Sequence, residues 1–66
     1  MKNSIKIERA ILNLTQQDLA LKIGVSRQTI NSIEQERYVP STILALKLSQ
    51  VFNKPVEEIF ILTDAD

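Results

Sequence analysis

Between Leu14 and Arg37, in the run LTQQDLALKIGVSRQTINSIEQER, apolar residues return at spacings of three and four. That period puts them on one side of two short helices. In the first, Leu19, Ala20 and Ile23 share a side, and Leu14 is placed to staple the helix start. Thr15 supplies an N-cap hydroxyl, and Asp18, three residues on, stands in for the Glu or Gln of a capping box. Gly24, the only glycine in the chain, falls where this helix must stop and tolerates the left-handed backbone of a C-terminal cap. Val25 follows as an apolar contact. Ser26 then caps a second helix, in which Ile30 and Ile33 face inward and Thr29 borders that face.

The flanking segments read as supporting helices. A first helix is predicted over Asn3 to Leu12, with Ile5 and Leu12 inward and a break at Asn13, a residue tolerant of αL. Ile7 and Ile11 form a second apolar pair, off the main stripe, that something should cover. A fourth helix begins after Pro40, capped by Ser41, and runs to about Phe52. Leu44, Ala45, Leu48, Val51 and Phe52 form its core face. Pro55 suits the first turn of a short fifth helix ending near Phe60, because its missing N–H would be unpaired there anyway. The tail from Phe60 to Thr63 is β-prone and too apolar to dangle. A strand around Ile61 to Thr63, beside the N-terminus, would cover Ile7 and Ile11. With no repeat, low-complexity tract or linker, residues 1–66 read as one domain, with a core at 15–35 and a tail region at 55–66.

A helix, a short turn with glycine, then a second helix is the helix-turn-helix layout. On its second helix, Arg27, Gln28, Asn31 and Ser32 recur at i, i+1, i+4 and i+5, one outward stripe. Taken alone, such a stripe is most often a solvated face. Its residue types are nonetheless those that read base edges: Arg pairs bidentately with guanine O6 and N7, and Gln or Asn with adenine.

Composition narrows the function further. The chain has 66 residues, so it holds one small core and buries only about 60% of its unfolded surface. It has no cysteine, which removes disulfides and thiolate metal sites as sources of stability. No apolar run approaches the roughly 18–20 residues of a membrane span, and no signal-peptide profile opens the chain. A soluble, cytoplasmic protein is the default expectation, with no membrane insertion. Net charge is zero, which by itself argues against nucleic acid. The distribution weakens that objection: residues 1–56 hold all eight basic residues and four acids, +4, while the last ten hold four acids, −4. An enzyme is not expected. Histidine and cysteine are absent, no Gly-rich phosphate loop exists, and Glu57 and Glu58 at a helix start favour the dipole instead of forming a catalytic pair. No cofactor and no metal is expected.

The pieces LTQQDLA, GVSRQTINSIE, RYVPS and PVEEIF, in that order, resemble the lambda/434 repressor and Cro-like helix-turn-helix domains, the XRE family, most closely its small single-domain members. The likeness runs from about Lys2 to Phe60. It implies an all-α, five-helix lambda-repressor-like DNA-binding domain, with room for a short C-terminal β-strand. It also implies a sequence-specific transcriptional regulator, a repressor first of all. By the same resemblance, Arg27 and Gln28 read bases, and Asn31 and Ser32 read bases or water. Gln16 contacts a phosphate and braces the recognition helix. Thr29, Gln35, Arg37, Tyr38 and Ser41 grip the DNA backbone, although Tyr38 can equally be a buried lid over Pro40.

Glu8 and Arg9 look wrong for a simple core, since buried charges are rare unless paired. The resemblance pairs Arg9 with Glu34 as a structural ion pair. Glu8 departs from the hydrophobic residue common in the family and either accepts from Arg37 or lies exposed at the rim. One short recognition helix, a small core and the apolar residues Val56, Ile59, Ile61 and Leu62 together point to a homodimer. Its interface would run through the fifth helix and tail, and its operator would be an inverted repeat. The rival reading, from another class, is an antitoxin-like module that uses the same fold to bind a protein partner. The intact polar stripe favours DNA.

Overall fold

In the computed structural model, which describes residues 1–66, five helices and one two-stranded antiparallel sheet follow each other in the order β1 (Lys2–Asn3), α1 (Ile5–Ile11), α2 (Gln16–Ile23), α3 (Arg27–Glu34), α4 (Thr42–Phe52), α5 (Val56–Ile59) and β2 (Phe60–Ile61). The fold is a small five-helix helix-turn-helix domain. Its starts are made by the side chains that the sequence puts there. Thr15 and Asp18 form a reciprocal capping box, Ser26 accepts from the Thr29 N–H, and Ser41 accepts from the Leu44 N–H.

The first four helices also stop in one way. Asn13, Gly24, Glu36 and Asn53 all have φ between 54° and 75°. In each case the next residue's N–H reaches back five positions: Leu14 to Arg9, Val25 to Ala20, Arg37 to Ser32 and Lys54 to Ser49. This pattern satisfies carbonyls that a helix end would otherwise leave unpaired. Glycine and asparagine accept the left-handed backbone at little cost; glutamate does not.

The core holds Ile5, Leu19, Ala20, Ile23, Ile30, Ile33, Leu48, Phe52, Ile59 and Phe60, so α1 to α5 and β2 all contribute. Burying one Ile or Leu completely is worth about 1.5–3 kcal/mol. For a domain whose whole margin is roughly 3–10 kcal/mol, each such residue matters. Helix α3 is held by two of them, Ile30 and Ile33.

The ends of the chain differ from the expectation at several points. Helix α1 begins at Ile5, not Asn3, because Lys2 and Asn3 pair with Ile61 and Phe60 in the sheet. Asn3 serves instead as a bracket: its Oδ1 accepts from the Ile5 N–H, and its Nδ2 donates to the Ile33 carbonyl at the end of α3. Leu12 lies past the last turn of α1 and is exposed, not inward. Pro55 is the N-cap of α5, one position before the expected first turn, and α5 ends at Ile59. The C-terminal strand does lie beside the N-terminus, but at Phe60–Ile61. It does not cover Ile7 and Ile11, which remain 63% and 64% exposed. It pairs with β1, which precedes α1, so it never reaches the outer face of that helix. Glu8 is neither at the rim nor bonded to Arg37. It is buried and accepts from Lys54 Nζ at 2.8 Å, tying α1 to the loop before α5.

Candidate nucleic-acid interface

Helix α3 puts its apolar residues into the core and so turns the rest of its surface outward. Arg27 and Gln28, in its first turn, are exposed; Thr29, Asn31 and Ser32 are half-buried. The Ser26 cap fixes the start of the helix, with its Oγ 3.2 Å from the Thr29 N and 3.0 Å from Thr29 Oγ1. At the other end, the left-handed turn at Glu36 brings the chain back over α3. Arg37 is thereby tied through its N–H to the Ser32 carbonyl at 2.9 Å.

The result is an open polar hollow of about 380 Å³, lined by Ser26, Gln28, Thr29, Ser32, Arg37 and Tyr38. Two of the expected base-reading residues, Gln28 and Ser32, thus share a concavity with three expected backbone-gripping ones. Arg27 and Asn31 lie outside it, as do Gln35 and Ser41, which are exposed. Tyr38 is 44% exposed, so it is a wall of the hollow and not a buried lid over Pro40. Local spacing marks Ser26 only as a helix cap. Its place in the wall follows from the returning loop, which leaves no local signal.

Charge in this region is unspent. The three ion pairs of the chain are Met1 amine–Asp66, Arg9–Glu34 and Lys54–Glu8. Arg27 and Arg37 belong to none of them, so both present a full positive charge to solvent on the α3 side. The Ser41 hydroxyl accepts from the Leu44 N–H and keeps its own proton for donation.

Behind α3 lies a second polar assembly. Arg9 donates through Nε to Glu34 Oε2 at 2.7 Å and through Nη2 to Oε1 at 3.1 Å, a bidentate pair. Their side chains are 14% and 6% exposed. Arg9 Nη1 also donates to the Leu14 carbonyl at 3.0 Å. The hydrogen bond to Glu34 holds the guanidinium pKa above its ordinary value against the opposing effect of burial. Gln16, at the start of α2, donates from Nε2 to Glu34 Oε1 at 3.2 Å and to Asn31 Oδ1 at 3.3 Å. It braces α3 at two points.

At the C-terminal end, Ile59 is fully buried within its own chain and cannot serve an intermolecular contact. Burial on the core side is what a four-residue helix needs to dock at all. Val56 is half-buried, Ile61 is exposed and Leu62 is 77% exposed.

Comparison with known proteins places these features in a family. Residues 5–59 match the helix-turn-helix family, most of the chain and all five helices. The chain is 55% identical over 64 residues to a helix-turn-helix-type transcriptional regulator of Methanocaldococcus jannaschii, covering 97% of each chain. It is 44% identical over 66 residues to one of Archaeoglobus fulgidus, covering all of this chain and 93% of that one. With one of Bacillus subtilis it shares 42% over 64 residues, 97% of each.

Proposed function

This chain belongs to the helix-turn-helix family of DNA-binding transcriptional regulators, which are not enzymes, and from that premise we propose that it is a repressor binding an inverted-repeat operator as a homodimer, with α3 in the major groove. One observation carries this reading. Two arginines free of any carboxylate serve α3: Arg27 opens the helix, and Arg37 lines the polar hollow with Gln28 and Ser32.

In this reading Arg27 and Gln28 read base edges, joined by Asn31 and Ser32 one turn further in. Thr29, Gln35, Arg37, Tyr38 and Ser41 hold phosphates and set register without carrying sequence information. Gln16 joins them at the backbone and also braces α3. A single eight-residue helix offers few base contacts, and two copies double them. A twofold pair would set the recognition helices about 34 Å apart, one turn of DNA. Ile61 and Leu62, with Val56 at their edge, are the apolar residues near α5 left open for that contact.

Selection from a random duplex pool, followed by mobility shifts at low salt, tests the reading. An inverted repeat with half-sites one helical turn apart is expected, and Gln28→Ala should relax preference at one base position per half-site. Equal weakening on all sequences would make Gln28 a backbone contact. Sedimentation of wild type and Ile61→Asp at micromolar concentration tests the dimer. A non-palindromic selected site would remove the twofold argument.

A further inference from the structure

We propose that Glu36 is an affinity-limiting residue, a fixed carboxylate beside the phosphate-gripping side chains that weakens binding to every duplex without altering base preference. This inference rests on the reading of α3 and the loop after it as the DNA-facing surface.

Glu36 stands apart from the other acids of residues 1–56, which are Glu8, Asp18 and Glu34. Glu8 and Glu34 are held in ion pairs, and Asp18 is engaged in the capping box of α2. The Glu36 side chain is exposed and belongs to no ion pair. Its place in the loop is nonetheless fixed. The Glu36 N–H donates to the Ile33 carbonyl at 3.0 Å, and the Arg37 N–H donates to the Ser32 carbonyl at 2.9 Å, so the backbone is pinned on both sides of the side chain. This turn demands a φ of 61°, which glutamate adopts only at a cost. The side chain can rotate, but its root cannot leave the loop when a duplex approaches.

The consequence is electrostatic. From Arg27 to Ser41, the charges outside ion pairs are Arg27, Arg37 and Glu36. Two are positive and one negative, so Glu36 lowers the free charge of this stretch from +2 to +1. The loop itself, Gln35 to Ser41, is left with no net charge although it carries Arg37. Consecutive Cα atoms are about 3.8 Å apart, so a phosphate held by Arg37 lies within roughly a Debye length of the Glu36 carboxylate at low salt. Like charges at that range repel through water, and the repulsion fades as salt screens it. A phosphate carries no sequence information, so the penalty falls on all duplexes alike.

Anisotropy titrations on one selected and one random duplex, with salt varied, test this. Glu36→Gln removes the charge and keeps the side-chain length. It should tighten binding to both duplexes by the same factor, about three- to tenfold near ~0.02 M salt and less than about twofold near ~0.3 M. Its log–log salt slope should therefore be steeper than that of wild type. The gain should lie mainly in the association rate, where peripheral charges act. Glu36→Asp keeps the charge and should bind within about twofold of wild type. A merely structural role would move stability, whereas Glu36→Gln should melt within about 2 °C of wild type. Glu36→Gly, which also removes the left-handed strain, must reproduce the same gain, so a folding defect in one variant does not decide the result. Equal affinity of Glu36→Gln and wild type at low salt, a gain that persists at high salt, or Glu36→Asp binding as tightly as Glu36→Gln overturns the proposal. So does a change confined to one base position, which would make Glu36 a reader of cytosine N4. In all of these cases wild type still binds duplex. Failure of wild type to bind either duplex even at low salt overturns the DNA reading and takes this inference with it.

Discussion

Replacing Glu34 with alanine would leave the Arg9 guanidinium facing α3 without its carboxylate. The three hydrogen bonds lost, two from Arg9 at 2.7 and 3.1 Å and one from Gln16 at 3.2 Å, come from a Glu34 side chain only 6% exposed, so water cannot readily take its place. Removing one partner of a buried pair typically costs about 3–5 kcal/mol. The lower end applies here, because Arg9 keeps its hydrogen bond to the Leu14 carbonyl and is itself 14% exposed. Against a total margin of roughly 3–10 kcal/mol for 66 residues, that is a third or more of the stability. In a domain of this size it lowers the melting temperature by roughly 12–24 °C at 4–8 °C per kcal/mol. Thermal melts by circular dichroism, with urea titrations at 25 °C, measure it. Arg9→Ala should cost at least as much, since it leaves the Glu34 carboxylate with only Gln16 and takes the donor from the Leu14 carbonyl. The double replacement Arg9→Met with Glu34→Leu removes both charges and refills the space, so it should be more stable than either single variant. Melting of Glu34→Ala within 2 °C or so of wild type, or a double variant as unstable as the two single costs added, would refute the reasoning. Raising pH offers no route to breaking the pair: a guanidinium shifted upward stays charged, and its stabilisation present, throughout the range where the domain is handled.

Three further outcomes are expected. Arg37→Ala should weaken binding to every duplex and shallow the log–log salt dependence by about 1; an unchanged slope would mean Arg37 neutralises no phosphate. Glu36→Gly relieves a left-handed glutamate at φ 61° and should raise stability by up to about 1 kcal/mol, the strain relieved less the added chain entropy, and a lowered melting temperature would contradict it. Asp18, whose carboxyl is held below its ordinary pKa first by the Thr15 backbone N–H and then by the Thr15 side chain, stabilises the fold above about pH 3.9 and loses that effect as pH falls through its lower folded value. The melting-temperature gap between wild type and Asp18→Asn should therefore close below about pH 4, and a gap constant from pH 7 to pH 2.5 would exclude the capping box as its source.

Helices α2 and α3, the turn between them and the caps at Thr15, Ser26 and Ser41 were legible from the chain alone. Each depends on residues at most four positions apart, and spacing reports such relations directly. The outward stripe Arg27, Gln28, Asn31 and Ser32 was legible for the same reason. The left-handed turn at Glu36 was not, because it lacks the glycine or asparagine that marks the other three; only the Arg37 N–H reaching Ser32 imposes it. The hollow it closes was hidden with it. Contacts between distant segments were beyond any local pattern. Glu8 finds Lys54 forty-six residues away, and Asn3 leaves the helix its spacing allows because Phe60 pairs with it across the whole chain. Whether Ile59 faces its own core or a partner is likewise decided by packing, since an apolar residue at helical spacing fits either. Local spacing thus determined helix α3 and its exposed chemistry. Tertiary structure alone decided which polar atoms of that helix remain free, because a hydrogen bond such as Gln16 to Asn31 depends on where two helices cross.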